Sequence, residues 1–156
     1  MNNTIEIGQK APDFSLERDG GGRVNLSDYV GKKLVIFFYP KDNTPGCTKE
    51  AIAFSEAKQA FADANTEILG MSADTVKRHD NFVAKHNLTV PLAADPELET
   101  LKAYGVWTKK SMYGREYMGI VRTTVLIDSD GTIAQIWPKV KVKDHIEPVL
   151  TAAKGL

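Results

Sequence analysis

The clearest feature of the hydrophobic pattern is an unbroken apolar and aromatic run, LVIFFY, at residues 34–39, bounded by two lysines and Pro40. A run of this kind is typical of a strand that is buried on both faces. Beyond it, residues 51–61 place Ala51, Phe54, Ala57, Lys58 and Phe61 at helical spacing, so that they form one mostly apolar face. The pattern predicts a central strand, a loop and then a helix.

Strand-like and helix-like patterns alternate along the rest of the chain. The predicted strands are 13–18, 23–26, 66–72, 90–94, 123–128 and 132–137. The predicted helices are one capped by Asp74 and Thr75 that ends near His86, one opened by Pro96 that ends near Gly105, and one over 144–154. Glycine-containing turns join the first two strands and the last two strands, so each of these pairs is predicted to form a hairpin.

The segment from Gly105 to Ile120 differs in character from its surroundings. It mixes Trp107, Tyr113 and Tyr117 with methionines, glycines and several charges, without a clear period. This composition predicts a long loop. Long loops in compact domains often carry function, but aromatic residues can also simply attach a loop to the body of the domain, and the sequence leaves both alternatives open.

Length and composition narrow the class of protein. A chain of 156 residues predicts one domain over 1–156 with a single substantial core. Twenty basic and twenty acidic residues cancel, which argues against a nucleic-acid partner. No segment approaches the roughly 18 apolar residues of a membrane span, and the amino terminus lacks a signal pattern, so we expect a cytoplasmic protein with no membrane partner.

The loop after the central strand holds Cys47, the only cysteine of the chain. Thr44 and Pro45 are helix start signals, so Cys47 is predicted in or just before the first helical turn. There, unpaired N–H groups and the helix dipole favour a thiolate. The alternative is a small buried hydrophobe, but the polar neighbours of Cys47 make an apolar burial site a poor fit.

Pro40, Thr44 and Cys47 match the peroxiredoxin signature Pro-x-x-x-Thr-x-x-Cys, and TPGCTKE resembles the bacterioferritin comigratory protein (peroxiredoxin Q) branch. The segments GQKAPDFSL, YGVWTKKSMYGREYMGIVRTTVLID and DGTI resemble the same branch, so the similarity spans nearly the whole chain. The resemblance implies an α/β, thioredoxin-like fold in which helices flank a central mixed β-sheet that carries an N-terminal β-hairpin. It also implies a monomer and no cofactor.

The resemblance further implies a thiol-dependent peroxidase. In that reading the Cys47 thiolate attacks hydrogen peroxide or an organic hydroperoxide and becomes a sulfenic acid. The Thr44 hydroxyl, the Cys47 N–H and Arg122 are the implied donors to the reacting oxygens, and Pro40 shields the sulfur from water. Glu50 is a secondary candidate that orients Arg122 or Cys47, although the helix dipole explains a glutamate there equally well.

One position departs from the resembled branch. Many members carry a resolving cysteine five residues after the first, and here that position is Ile52. With a single cysteine, no intramolecular disulfide can form. The resemblance therefore implies a one-cysteine mechanism that needs an external thiol, for which thioredoxin, glutaredoxin and glutathione are the candidates.

Two other classes of protein compete with the peroxidase. The first is a redox-inactive thioredoxin-fold module that binds a partner, suggested by the missing resolving cysteine. The second is a thiol–disulfide or metal-transfer protein, which normally needs C-x-x-C, whereas Glu50 occupies the second cysteine position. His79 and His86 are predicted on a helix surface and His145 at the start of the last helix, so no metal site is expected.

Overall fold

The computed structural model describes residues 5–156. Its strands are β1 (Ser15–Arg18), β2 (Arg23–Asn25), β3 (Lys33–Phe38), β4 (Thr66–Ser72), β5 (Leu92–Ala94), β6 (Trp107–Met112), β7 (Arg115–Ile120), β8 (Thr123–Ile127) and β9 (Ile133–Trp137). Its helices are α1 (Pro45–Asp63), α2 (Val76–His86), α3 (Glu99–Ala103) and α4 (Ile146–Lys154). None of the helices within 5–156 has the length and apolar character that a membrane crossing requires.

Seven strands form one mixed sheet in the order β2-β1-β5-β4-β3-β8-β9. Strand β4 pairs parallel with β3 on one side and with β5 on the other, while β8 pairs antiparallel with β3. Strands β1 and β2 form the N-terminal hairpin, and β8 and β9 form the second hairpin. The predicted mixed sheet and both predicted hairpins are therefore confirmed.

The central position of β3 explains its apolar sequence. All six of its residues are buried, and the five apolar ones alternate between two hydrophobic clusters on opposite faces of the sheet. Leu34, Ile36 and Phe38 join one cluster, whereas Val35 and Phe37 join the other. A strand covered on both faces has no solvent side, so the middle of β3 is entirely apolar. Each buried side chain of this size contributes about 1.5–3 kcal/mol of transfer free energy.

Helices cover both faces of the sheet. Buried residues of α1, α2 and α4 belong to the cluster that contains Phe37. Leu101 of α3 belongs to the cluster that contains Phe38, together with Phe14 from the segment before β1. The helix prediction is confirmed for α1, α2 and α4.

Several boundaries differ from the prediction by two residues or more, among them those of the third helix and the fifth strand. The third helix begins at Glu99, because Pro96 lies in a turn that ends at Leu98 with φ 70°. The buried Asp95 carboxylate accepts the Leu101 N–H at 2.8 Å and so caps α3 from the side of the turn. The fifth strand begins at Leu92, two residues later than predicted.

The prediction of a long loop between Gly105 and Ile120 was wrong. The segment is a hairpin, β6 paired with β7 around Tyr113 and Gly114, which both have positive φ. Paired positive φ values are the mark of a tight hairpin turn. Most of this hairpin is exposed on both faces, so burial does not impose the alternation by which a strand is recognised in a sequence.

Candidate active site

Cys47 lies just after the loop that connects β3 to α1. After Tyr39 the chain leaves the sheet, crosses a short loop and enters α1, with Thr44 as the N-cap and Pro45 at the first helical position. The Thr48 N–H donates to the Thr44 carbonyl at 2.9 Å, which closes the first turn around the cysteine. Cys47 is thus in the first turn of a 19-residue helix, as predicted, at the end where the dipole favours a negative charge.

Cys47 is also buried, with 1% of its surface exposed, and packs with Ala51 and Phe54 in the hydrophobic cluster of α1. The prediction that apolar burial fits this cysteine poorly was therefore wrong. Its neighbours in the chain are polar, but helical geometry turns most of them away and presents Ala51, one turn on, to the same interior. The sulfur meets apolar side chains on one side and a cation on the other.

That cation is Arg122, which directly precedes β8. Because Phe38 of β3 is paired with Thr123 of β8, Arg122 emerges beside the start of α1. Its Nη2 donates to the Cys47 sulfur at 3.4 Å. A Cβ added at Gly46 would lie 3.1 Å from this nitrogen, so the glycine leaves the space through which Arg122 reaches the sulfur.

Glu50, one helical turn after Cys47, holds the other side of the guanidinium. Arg122 Nη1 donates to Glu50 Oε1 at 2.6 Å, and Glu50 is 1% exposed. Burial raises the pKa of Glu50 to about 7, against the opposing attraction of Arg122. Burial alone would lower the pKa of Arg122, but the interactions with Glu50 and Cys47 raise this pKa by more. The guanidinium therefore stays charged.

Thr44 and Pro40 lie on the same loop. The Thr44 hydroxyl donates its hydrogen to the Lys41 carbonyl at 2.8 Å. It therefore offers a bound molecule its oxygen as an acceptor, and not the donor that the resemblance implies. Pro40 is half-buried and borders a groove of about 400 Å³ that is also lined by Trp107, Lys110 and Tyr117 of the β6–β7 hairpin. The structure therefore brings Cys47, Arg122 and Glu50 into contact and puts Thr44 and Pro40 on the loop beside them.

The prediction of a surface position for His79 was wrong. His79 is fully buried, with Nδ1 2.6 Å from Asp42 Oδ2 and Nε2 2.9 Å from the Ala93 carbonyl. A signal existed in the sequence, because Val76, His79 and Phe82 recur every three residues along one face of α2. Asp42 was missed as well, although it lies inside the motif that holds Cys47. His86 is half-buried, with its ring edge against Phe82.

Ligand atoms of Asp42, Asp74 and His79 lie within 4.8 Å of one another, which is the kind of group that can hold a metal ion. Each of these side chains already has hydrogen-bond partners, among them Tyr39, Ser72 and Ala93. We therefore interpret the group as a hydrogen-bond network. His145 is the N-cap residue of α4, and its Nε2 is 2.8 Å from the hydroxyl of Thr124 in β8. Burial and the nearby Arg122 lower the pKa of His145, which favours the neutral ring.

Comparison with known proteins places this geometry in a family. The model of the AhpC/TSA family matches residues 7–136. The Bacillus subtilis protein named peroxiredoxin Bcp is 49% identical over 153 residues, which is 98% of each chain. The Xanthomonas campestris peroxiredoxin Bcp is 42% identical and covers 97% of this chain and 94% of its own.

Solved structures agree with the sequence relatives. Xanthomonas campestris peroxiredoxin Q superposes with a TM-score of 0.87 at 43% identity, covering 91% of this chain and 90% of that one. A cysteine-to-serine mutant of Xylella fastidiosa PrxQ gives a TM-score of 0.92 at 39% identity over 97% and 96% of the two chains. The chain belongs to the AhpC/TSA family, as a peroxiredoxin of the Bcp (peroxiredoxin Q) type.

Proposed function

We propose that this protein is a thiol-dependent peroxidase that reduces hydrogen peroxide and organic hydroperoxides through a sulfenic acid on Cys47. The observation that carries the proposal is the 3.4 Å contact of Arg122 Nη2 with the sulfur at the first turn of α1. A relative supports the substrate class, because one solved structure concerns the alkyl peroxide reduction activity of the Xanthomonas campestris bacterioferritin comigratory protein.

The first step transfers one oxygen atom. The Cys47 thiolate attacks the nearer peroxide oxygen, an S–O bond forms, the O–O bond breaks, and the leaving oxygen takes a proton to become water or an alcohol. Negative charge moves from sulfur onto the leaving oxygen during this step. Arg122 is bonded to Glu50 through one nitrogen and to the sulfur through another, so the guanidinium can donate to the charge as it moves from the sulfur to the leaving oxygen. Thr44 accepts a hydrogen bond from the peroxide hydroxyl, and Pro40 shields the sulfenic acid from water.

The second stage needs a thiol from outside the chain. Ile52 occupies the position of a resolving cysteine, and Cys47 is the only cysteine. An external thiol condenses with the sulfenic acid, which releases water and leaves a mixed disulfide. A second thiol then displaces Cys47 and restores the thiolate. Thioredoxin, glutaredoxin and glutathione remain the candidates, and offering each in turn to the oxidised protein identifies the reductant.

We further propose that the protein works as a monomer in the cytoplasm. Cys47, Arg122 and Glu50 all come from one chain, so the site is complete without a second copy. A peroxidase that is reduced by two external thiols needs a compartment in which thiols are kept reduced. The mass of the protein in solution and its distribution between cell fractions test these two statements.

Replacing the nucleophile tests the peroxidase itself. We expect Cys47→Ser to reduce peroxide consumption to the uncatalysed background while thermal stability changes little, because a hydroxyl of similar size lacks thiolate reactivity. The matched control is Ser55→Ala, on the same helix. Turnover that survives in Cys47→Ser would place the chemistry elsewhere and refute the mechanism.

Mass spectrometry of the wild-type protein checks the intermediate. Peroxide without added thiol should allow a sulfenic-acid reagent to label the peptide that contains Cys47, and any disulfide-linked species should join two molecules. The competing idea, a redox-inactive binding module, predicts neither peroxide consumption nor labelling. The contact between Arg122 and the sulfur argues against that module, because binding alone does not require a cation on a buried cysteine.

A further inference from the structure

His79 is the one histidine of α2 that is completely buried, and both of its ring nitrogens face acceptors. Nε2 is 2.9 Å from the Ala93 carbonyl, which can only accept, so this nitrogen carries a hydrogen. Nδ1 is 2.6 Å from the Asp42 carboxyl group, a contact that needs one proton between the two atoms. The ring is therefore held at both ends, by the Ala93 carbonyl of the interior strand β5 and by Asp42.

Asp42 is the point at which the loop before α1 is attached to the body of the protein. Its Oδ1 accepts the Tyr39 hydroxyl at 2.6 Å, and its backbone N–H donates to Asp74 Oδ2 at 2.9 Å. Burial and the neighbouring Asp42 raise the pKa of Tyr39 well above its usual value, so the phenol keeps the proton that it donates. Arg78 reaches the other oxygen of Asp74 at 3.5 Å from the solvent side.

The anchored residue is close in the chain to the nucleophile. Asn43 follows with φ 62°, a left-handed conformation that asparagine adopts readily in tight turns. Thr44 then closes the turn through its bond to the Lys41 carbonyl and begins α1. Only Asn43 and Thr44 separate Asp42 from the first residue of α1, so we expect a displacement of Asp42 to be passed to Cys47.

We propose that His79 is a positioning residue for the peroxidase: by holding Asp42 it sets where α1 begins and thus where the Cys47 sulfur lies relative to Arg122. This inference rests on the proposed function of Cys47. A histidine on another helix, whose hydrogen-bond partners are Asp42 and Ala93 and not the sulfur, thereby controls the reaction rate through the loop. The Cys47–Arg122 contact is 3.4 Å long, and a misplacement of about 1 Å in a reacting group can lower a rate by about 100-fold.

Two substitutions separate the two ends of the ring. In His79→Asn the amide reaches the position of Nδ1 and can donate to Asp42, but it loses Ala93. In His79→Gln the longer amide reaches the position of Nε2 and can donate to Ala93, but it loses Asp42. If His79 acts through Asp42, the peroxide oxidation rate of Cys47 should fall about 10- to 100-fold in His79→Gln and stay within about threefold of wild type in His79→Asn.

A purely structural role predicts a different result. A histidine that only joins α2 to the sheet should give rates that follow the thermal stability of the two variants, with equal losses or a larger loss in His79→Asn. Either of those outcomes overturns the proposal. The control is His86→Gln, on the same helix but against Phe82 instead of Asp42, which should react like wild type.

Two measurements keep the test decisive if a variant folds poorly. Nuclear magnetic resonance of the wild-type protein should show a strongly downfield proton in the Asp42–His79 hydrogen bond and a second proton on Nε2, and the absence of the first overturns the proposal. Alkylation of Cys47 by iodoacetamide reports the position of the sulfur without using peroxide. If wild-type protein fails to consume peroxide, the proposed function fails; if it succeeds and His79→Gln matches it in both reactions, only the role of His79 fails.

Discussion

Arg122 connects the two acidic groups of the site at the residue scale. One nitrogen lies on the Cys47 sulfur and another on Glu50, so the fork of the guanidinium serves both contacts at once. An ammonium group is a point charge and lacks this fixed division of donors. The role of Arg122 thus depends on its shape as well as its charge.

Substitution of Arg122 tests that statement. We expect Arg122→Ala to lower the rate of Cys47 oxidation by about 100-fold or more, because a donor to the developing charge is lost. Arg122→Lys should recover little of this rate, because an ammonium group keeps the charge but loses the fork. Stopped-flow oxidation measures the rates, and Arg115→Ala, on exposed β7, is the control. Wild-type values in both Arg122 variants would mean that the contact has no role in the reaction.

Glu50 predicts an unusual pH dependence of stability. Its folded pKa is raised by burial from 4.5 to about 7, so the folded protein holds this proton more tightly than the unfolded chain does. Stability should therefore fall as pH rises from about 4.5 through about 7, by roughly 3 kcal/mol at most. Urea unfolding should show that Glu50→Gln removes this decrease while Glu116→Gln, at an exposed ion pair, retains it. A wild-type slope in Glu50→Gln would contradict the assignment.

At the scale of single elements, Gly70 lets β4 pack against its neighbours. A Cβ at this position would lie 2.7 Å from Leu92 and 2.7 Å from Phe37, both fully buried. These two side chains lie in the cluster that also contains Cys47. The glycine therefore decides how closely the middle of β4 approaches its surroundings.

Gly70→Ala should lower the free energy of unfolding by about 1–3 kcal/mol, because the added methyl group overpacks a dense core. Gly22→Ala is the matched control, since its φ is −89° and a Cβ there would approach nothing closer than 4.0 Å. That control should be neutral or stabilising by about 0.4–1 kcal/mol. Urea unfolding measures the free energy of unfolding of both variants. Equal values would show that the core around Gly70 can rearrange to accept the methyl group, which contradicts the prediction.

At the scale of the whole molecule, β3 belongs to both hydrophobic clusters. Loss of this strand would open both faces of the sheet together, so we propose that residues 1–156 form one domain. The two tryptophans report on different faces, because Trp107 packs against the cluster of Phe38 and Trp137 against the cluster of Phe37. Each face can thus be followed separately.

We expect one cooperative unfolding transition. In the single-tryptophan variants Trp137→Phe and Trp107→Phe, the remaining fluorophore should unfold at the same urea concentration as the circular dichroism signal of that same variant. The clusters share a strand, so neither has a separate folded state. A midpoint for one tryptophan that differs from the dichroism midpoint would divide the chain into two units.

Local patterns were sufficient for much of the fold and for the position of the nucleophile. The apolar run of β3, the bounds of β4 and the helix start at Thr44 and Pro45 follow from interactions between residues a few positions apart. These interactions are the same in any protein, so a single sequence reveals them. Resemblance to a family added Arg122, which no local pattern singles out.

Contacts between distant residues decided the rest. Arg122 is 72 residues from Glu50 and 75 from Cys47, and His79 is 37 from Asp42. Burial of Glu50, Cys47 and His79 arises only when separate elements close over them, and burial is what raises the pKa of Glu50 and makes His79 a link in a network. The sequence determines which chemical groups are present, while the packing of the sheet and helices determines which of them lose water and meet.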